Sequence, residues 1–105
     1  MNAPVSSKEE VVERLQGASR QLLSLGVKGI GLFGSFVTGQ QTQASDVDIL
    51  VEFEPIRHSF DSFMELSFFL EEILGRRIEL VTPESLSPHI GPFIMREVER
   101  VPFAA

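Results

Sequence analysis

The sequence predicts a single α/β (α+β) domain, in which a small mixed β-sheet of three to four strands is covered by helices. Short apolar stretches with strand alternation follow segments of helical periodicity along the chain, and glycine or proline separates them. The 105 residues are enough for one hydrophobic core and too few for two. We therefore interpret residues 1–105 as one domain, with residues 1–7 as a flexible tail.

Composition and charge exclude several classes of protein. The 43% hydrophobic and 23% charged content is ordinary for a globular domain. The net charge of −6 argues against binding to a nucleic-acid backbone or an anionic membrane surface. The sequence has no cysteine, no signal-peptide layout and no apolar run near the roughly 18 residues of a membrane span. We expect a cytoplasmic protein.

The elements in the first half of the chain begin with a helix. Ser6 or Ser7 can cap it, and Gly26 is a plausible end. Val27–Phe33 is predicted as the first strand, and a short helix can follow the glycine-flanked turn after it. The helical apolar spacing rests on Val11, Leu15, Ala18, Leu22 and Leu25.

Predicted strands and helices also alternate along the second half of the chain. Val47–Phe53 is predicted as a strand with strong alternation, in which Leu50 is the exception. Ser62 and Glu65 fit a capping box that opens a helix ending at Gly75. Residues 77–81 are predicted as a third strand and residues 92–100 as a last helix. Four phenylalanines in or next to the helix that ends at Gly75 are interpreted mainly as core residues: Phe60, Phe63, Phe68 and Phe69.

Two carboxylates open the Val47–Phe53 strand. In an extended strand, side chains at i and i+2 share a face, so Asp46 and Asp48 stand side by side. They repel each other, and burying either one unpaired is unfavourable, so a divalent cation between them is the natural solution. The small backbone of Gly34 and Ser35, one loop earlier, lets a phosphate approach the chain. The pattern predicts a metal–nucleotide site, whereas a plain solvated loop-to-strand entry is the simpler alternative.

Two other glycine patterns compete with this interpretation. A G-x-G-x-x-G pattern starts at Gly29, but its first two glycines lie inside a strand, where a dinucleotide fingerprint does not place them. Gly34 and Gly39 have P-loop spacing, but Gln40 and Gln41 occupy the positions of the required lysine and hydroxyl. We reject the P-loop and keep the dinucleotide fingerprint only as a remote alternative.

The remaining motif resembles a known family. Gly34-Ser35, followed ten residues later by Ser45-Asp46-x-Asp48, is similar to the signature of polymerase-β-type nucleotidyltransferases. Segments 49–53 and 74–82 narrow the resemblance to the minimal (MNT-type) nucleotidyltransferases, which are often encoded beside a HEPN-domain toxin. The resemblance covers roughly residues 27–100. It implies a polymerase-β-like nucleotidyltransferase fold.

The resemblance also implies roles for particular residues. Gly34 and Ser35 match positions that contact the β- and γ-phosphates, and Ser45 belongs to the same nucleotide-binding motif, although a turn-forming role is favoured for it. Asp46 and Asp48 match the two metal-binding aspartates.

A third carboxylate, Glu79, falls where the family usually has an aspartate, with a solvated edge position as its alternative. Together with Asp46 and Asp48 it would serve catalysis and bind two Mg²⁺ ions about 3.5–4 Å apart, with Mn²⁺ as a substitute.

Thr38 is a departure from the family, which commonly has an arginine there. The resemblance implies transfer of AMP from ATP, or of another nucleotide, to a hydroxyl of a HEPN toxin. The alternative is an inactive antitoxin that neutralises its partner by contact alone. A small-molecule transferase and a homo-oligomer also stay open, as does phosphate binding or helix capping by Arg76 and Arg77.

Overall fold

The computed structural model describes residues 2–103, leaving aside the side chain of Arg57. None of the helices in this part of the chain has the length and apolarity that crossing a membrane requires. The helices are α1 (Lys8–Gly17), α2 (Ser19–Ser24), α3 (Ser35–Thr38), α4 (Phe60–Leu74) and α5 (Gly91–Glu97), with 3-10 turns at Pro55–Arg57 and Pro83–Ser85. The strands are β1 (Val27–Phe33), β2 (Val47–Phe53), β3 (Ile78–Val81) and β4 (Glu99–Arg100).

The strands form one mixed sheet in the order β3-β2-β1-β4. β1 pairs antiparallel with β2 and with β4, whereas β2 pairs parallel with β3. The parallel pair is joined through α4, because two parallel strands need a long crossover connection. The predicted small mixed sheet is confirmed.

The main core lies between the helices and one face of the sheet. The predicted alternation of β2 is confirmed, since Val47, Ile49 and Val51 belong to this cluster and the buried Leu50 does not. Each fully buried leucine contributes about 1.5–3 kcal/mol to the free energy of unfolding. The leucines that α4 supplies are Leu66, Leu70 and Leu74.

The start of α4 differs from the prediction. The capping box predicted at Ser62 and Glu65 is wrong, because the Ser59 hydroxyl accepts a hydrogen bond from the Ser62 amide and caps a helix that begins at Phe60. The predicted end at Gly75 is confirmed by its positive φ of 68°.

The phenylalanines of α4 divide between the core and the surface. Phe60 and Phe68 are 76% and 63% exposed, so their interpretation as core residues is wrong. Phe63 and Phe69 are partly buried and pack against the core. The buried stripe of the helix runs through positions 66, 70 and 74, and position 68 therefore lies on the opposite face.

The first predicted helix is two helices in the structure. Ala18 lies between α1 and α2 with a non-helical backbone, next to Gly17, whose residue type disfavours helix. The predicted cap by Ser7 is confirmed, since its hydroxyl accepts from the Glu10 amide at 3.1 Å.

The segment before α1, predicted as a flexible tail, lies against the end of α4. Val5 is fully buried, and its amide donates to the Leu74 carbonyl at 3.0 Å. The Asn2 amide donates to the Glu72 carbonyl at 3.1 Å.

The C-terminal region contains a strand that the sequence does not predict. The helix predicted over residues 92–100 ends at Glu97, and Glu99–Arg100 then pairs with β1. Gly31 makes room for this segment, because a Cβ there would lie 2.7 Å from Cγ2 of Val98. Helical periodicity cannot reveal such a pairing, since the partner strand lies far away in the sequence.

Candidate active site

Gly34 forms the turn between β1 and α3. Its φ of 77° and ψ of −154° lie in a region of backbone conformation that is essentially restricted to glycine. A Cβ at this position would lie 2.0 Å from Oδ2 of Asp48. Both the backbone conformation and the close approach of the carboxylate therefore require glycine.

Asp48 lies on a central strand, between the other residues predicted for the site. In the sheet register it is opposite Phe33, the residue before Gly34, on one side and opposite Glu79 on the other. Register partners present their side chains on the same face, and Asp46 lies two residues earlier. The structure thus brings the three predicted carboxylates and the glycine turn to one region of the sheet.

The electrostatics of Asp48 reflect this crowding. Burial is the largest cause that raises its pKa from 3.8 to about 6, followed by the negative charges of Glu79, Asp46 and Glu97. Asp48 therefore loses its proton less readily than a carboxyl group in water. A bound cation would relieve the repulsion among these carboxylates.

Glu97, the last residue of α5, is a fourth carboxylate that the sequence analysis missed. Its Oε2 accepts a hydrogen bond from the Gly34 amide at 2.7 Å. This is an amide that the family resemblance assigns to nucleotide phosphate. The linear sequence holds no signal for the contact, because the two residues are 63 positions apart and belong to elements with no shared motif.

The hydroxyl residues of the motif have different surroundings. Ser35 is the first residue of α3 and is half-buried. Ser45 is engaged in its own loop, where its hydroxyl accepts from the Thr42 amide at 2.8 Å. Thr38, at the position of the family arginine, is exposed, and its hydroxyl donates to the Ser35 carbonyl at 3.5 Å.

A divalent cation fits this region by charge and donor type. Carboxylate oxygens are the ligands that Mg²⁺ prefers, and the negative charges of Glu79, Asp46 and Glu97 lie close enough to Asp48 to add to the effect of burial on its pKa. However, no group of three or more His, Cys, Asp and Glu side chains within the described residues is arranged to hold a metal ion. Rotation of side chains such as the exposed Glu79 is needed to bring three carboxylates together.

The fold and this carboxylate-lined turn define the class of protein. The nucleotidyltransferase domain model matches residues 12–101, and the chain belongs to this family. The chain is similar to the protein adenylyltransferase MntA of Thermococcus cleftensis, with 44% identity over 91 residues that span 86% of this chain and 91% of the relative. The resemblance to MNT-type proteins is thereby confirmed.

Solved structures agree with the fold. One described as a minimal nucleotidyltransferase is 27% identical and has a TM-score of 0.78, with 92% of this chain and 98% of that chain covered. Another contains a tri-AMPylated Shewanella oneidensis HEPN toxin in complex with an MNT antitoxin. Its matching chain is 20% identical, with a TM-score of 0.56 over 85% of this chain and 72% of its own, and shows the shared fold alone.

Proposed function

We propose that this chain transfers AMP from ATP to a hydroxyl group of a partner protein, and that the partner is a HEPN-domain toxin. The observation that carries the proposal is the packing of the Asp48 carboxylate against the glycine turn at Gly34, with Asp46 and Glu79 beside it. The name of the Thermococcus relative supports protein adenylylation. The AMPylated toxin in the Shewanella complex supports the choice of partner.

The glycine turn would hold the phosphates of the nucleotide. The Gly34 amide and the Ser35 hydroxyl donate hydrogen bonds to phosphate oxygens in this proposal, and Glu97 gives up its contact with the Gly34 amide. Ser45 shapes the loop before Asp46 through its bond to the Thr42 amide.

Asp46, Asp48 and Glu79 would hold Mg²⁺, with two ions as the proposed number and Mn²⁺ as a substitute. Bound cations there would neutralise charge on the transferring phosphate and on the leaving pyrophosphate. The carboxylates supply the negative charge that such ions need, and the charges of Glu79 and Asp46 contribute, after burial, to the raised pKa of Asp48.

In the transfer step, the acceptor hydroxyl oxygen forms a bond to the α-phosphorus. The bond between the α-phosphorus and the bridging oxygen breaks, and pyrophosphate leaves. Glu79 is exposed at the site and accepts the proton that the hydroxyl loses, since a protein acceptor can reach it from solvent. Positioning and electrostatic stabilisation supply most of the rate enhancement.

The experiment that tests the proposal uses ATP labelled on the α-phosphate, Mg²⁺ or Mn²⁺, and a lysate of host cells. The parent protein is compared with the double variant Asp46→Asn/Asp48→Asn and with Asp61→Asn, an equivalent change at an exposed position on α4. We expect a labelled protein band with the parent and with Asp61→Asn only. Equal labelling by the double variant would refute the carboxylate mechanism.

A contact-only antitoxin is the second candidate. Thr38 in place of the family arginine favours it, because its hydroxyl bonds within the turn and offers no cation to a phosphate. Protection of cells by Asp48→Asn as effective as that by the parent, with no nucleotide transfer by either protein, would identify this second function.

A further inference from the structure

Arg76 binds the loop that precedes the predicted metal ligands. Its Nη1 donates to the carbonyl oxygens of Thr42 and Ser45 at 2.9 Å each, and to that of Gln43 at 3.2 Å. Its Nε donates to the Val5 carbonyl at 2.6 Å. The side chain thus joins the segment before α1 to the loop of residues 42–45.

The same guanidinium also contacts α3. It lies 5.1 Å from the centroid of the Phe36 ring, within the range of a cation–π interaction. Phe36 is buried and follows the Gly34–Ser35 turn directly. One planar group therefore touches both the loop before Asp46 and the helix that carries the predicted phosphate-binding residues.

The backbone around Asp46 is fixed on both sides by neighbouring residues. The Ser45 carbonyl, in the peptide group before Asp46, accepts from Arg76. The Val47 amide, in the peptide group after it, donates to the Arg77 carbonyl at 3.0 Å. Of the two peptide groups that flank Asp46, the first is therefore held by the Arg76 side chain and the second by the Arg77 backbone.

We infer that Arg76 is a positioning residue, which holds Asp46 in place relative to the Gly34–Ser35 turn and so sets the affinity of the site for its divalent cation. The inference rests on the proposed function. The inference differs from the two roles that the sequence suggests for Arg76, which are phosphate binding and helix capping. Within the described residues, the Arg76 guanidinium donates to the Val5 carbonyl and to carbonyls of the loop of residues 42–45, and not to the end of α4. A lysine cannot replace it, since one ammonium nitrogen cannot reach both the Val5 carbonyl and the loop carbonyls, and it has no plane that stacks on the Phe36 ring.

The test compares Arg76→Lys and Arg76→Gln with Arg77→Lys, which changes an exposed neighbour and leaves its backbone contact intact. The first measurement is amide hydrogen exchange of residues 42–47 in the folded protein. The second is the dissociation constant of Mn²⁺, measured by electron paramagnetic resonance without nucleotide. We expect faster exchange and at least tenfold weaker Mn²⁺ binding in both Arg76 variants, in the range found for residues that orient metal ligands. Arg77→Lys should match the parent.

A core variant separates positioning from general loss of stability. Leu70→Ala removes packing from the core cluster, to which neither Arg76 nor residues 42–45 belong. It should lower Tm without changing Mn²⁺ affinity at a temperature where the protein is folded. Parent-like exchange or parent-like Mn²⁺ binding in both Arg76 variants would overturn the inference. It would also be overturned if Leu70→Ala weakened Mn²⁺ binding as much as the Arg76 variants do. Absence of Mn²⁺ binding by the parent protein would refute the proposed metal site and, with it, the role of Arg76 in cation affinity. The hydrogen-exchange data would then still decide whether Arg76 holds the loop of residues 42–45 in place.

Discussion

Replacing Gly34 by alanine should damage the site more than it damages the fold. The glycine-only backbone conformation contributes a destabilisation of about 1–3 kcal/mol in the alanine variant. With about 2 kcal/mol as the central value, Tm falls by roughly 8–16 °C in a domain of this size. Because a typical domain has about 5–15 kcal/mol of stability, the variant still folds.

The contact with Asp48 determines the effect on activity. The new Cβ would lie 2.0 Å from Oδ2, whereas real Cβ contacts below 3.0 Å are essentially absent, so the carboxylate must move by about 1 Å. A displacement of this size at a reacting centre reduces the rate about 100-fold. We therefore expect a rate of AMP transfer by Gly34→Ala about 100-fold below that of the parent.

Gly39→Ala is the matched control for this experiment. Gly39 ends the same short helix with a φ of 80°, and a Cβ there would meet no atom within 4 Å. An alanine in this left-handed conformation lowers the free energy of unfolding by about 1–2 kcal/mol, which is similar to the cost at Gly34, but no carboxylate has to move. Thermal unfolding gives the Tm of both variants. Transfer from labelled ATP is then measured at a temperature well below either Tm. Parent-like transfer by Gly34→Ala, or an equal loss in Gly39→Ala, would show that the contact with Asp48 does not matter for the chemistry.

Three further predictions concern charge and packing. Asp48→Asn should raise the free energy of unfolding by about 1 kcal/mol at pH 7.5, after allowance for the partial exposure of the carboxyl group. This advantage should shrink as the pH falls from about 6 to 4, because in that range Asp48 takes up a proton in the folded protein before it does so in the unfolded chain. Tm measured against pH for both proteins tests this, and a difference that stays constant with pH would contradict it. Glu97→Gln should tighten binding of an ATP analogue with Mg²⁺ about fivefold in calorimetry, because about 1 kcal/mol of repulsion is removed near the Gly34 amide; weaker binding would instead show that the carboxylate supports the site. Leu70→Ala should lower the free energy of unfolding by about 2–5 kcal/mol in urea, whereas Phe68→Ala should change it by less than about 0.5 kcal/mol, and the reverse order would contradict the observed face of α4.

The parts of the fold that local patterns specify could be predicted from the sequence. The bounds of β1 follow from the glycines that flank it, Gly26 and Gly34, and those of β2 follow from apolar alternation and Pro55. The end of α4 follows from Gly75. The start of α4 could not be assigned, because Ser59 and Ser62 are both acceptable caps and only packing selects between them. β4 could not be predicted, since two residues carry no periodicity and their pairing depends on the space above Gly31.

The predicted site was drawn from a motif with fixed spacing, and the motif does bring Gly34 and Asp48 into contact. The register between β2 and β3 places Glu79 beside Asp48, although spacing alone could not establish it. The contributions of Glu97 and Arg76 depend on long-range packing of side chains against backbone groups, for which the sequence has no local pattern. The ligating roles of Asp46 and Asp48 remain predictions that the variants above test.

The site is assembled from parts that are widely separated along the chain, and this has a consequence for its biosynthesis. Gly34 and Asp48 lie in the first half of the 105-residue sequence, whereas Glu79 and Glu97 lie in the second half. A ribosome must therefore release nearly the whole domain before these groups can meet, because the chain emerges from its N-terminal end. A nascent or prematurely ended chain that lacks α5 and β4 would carry the nucleotidyltransferase motif without its complete surroundings. Nucleotide chemistry by this protein is thus a property of the finished domain, and partial translation products should not compete for the same partner through this site.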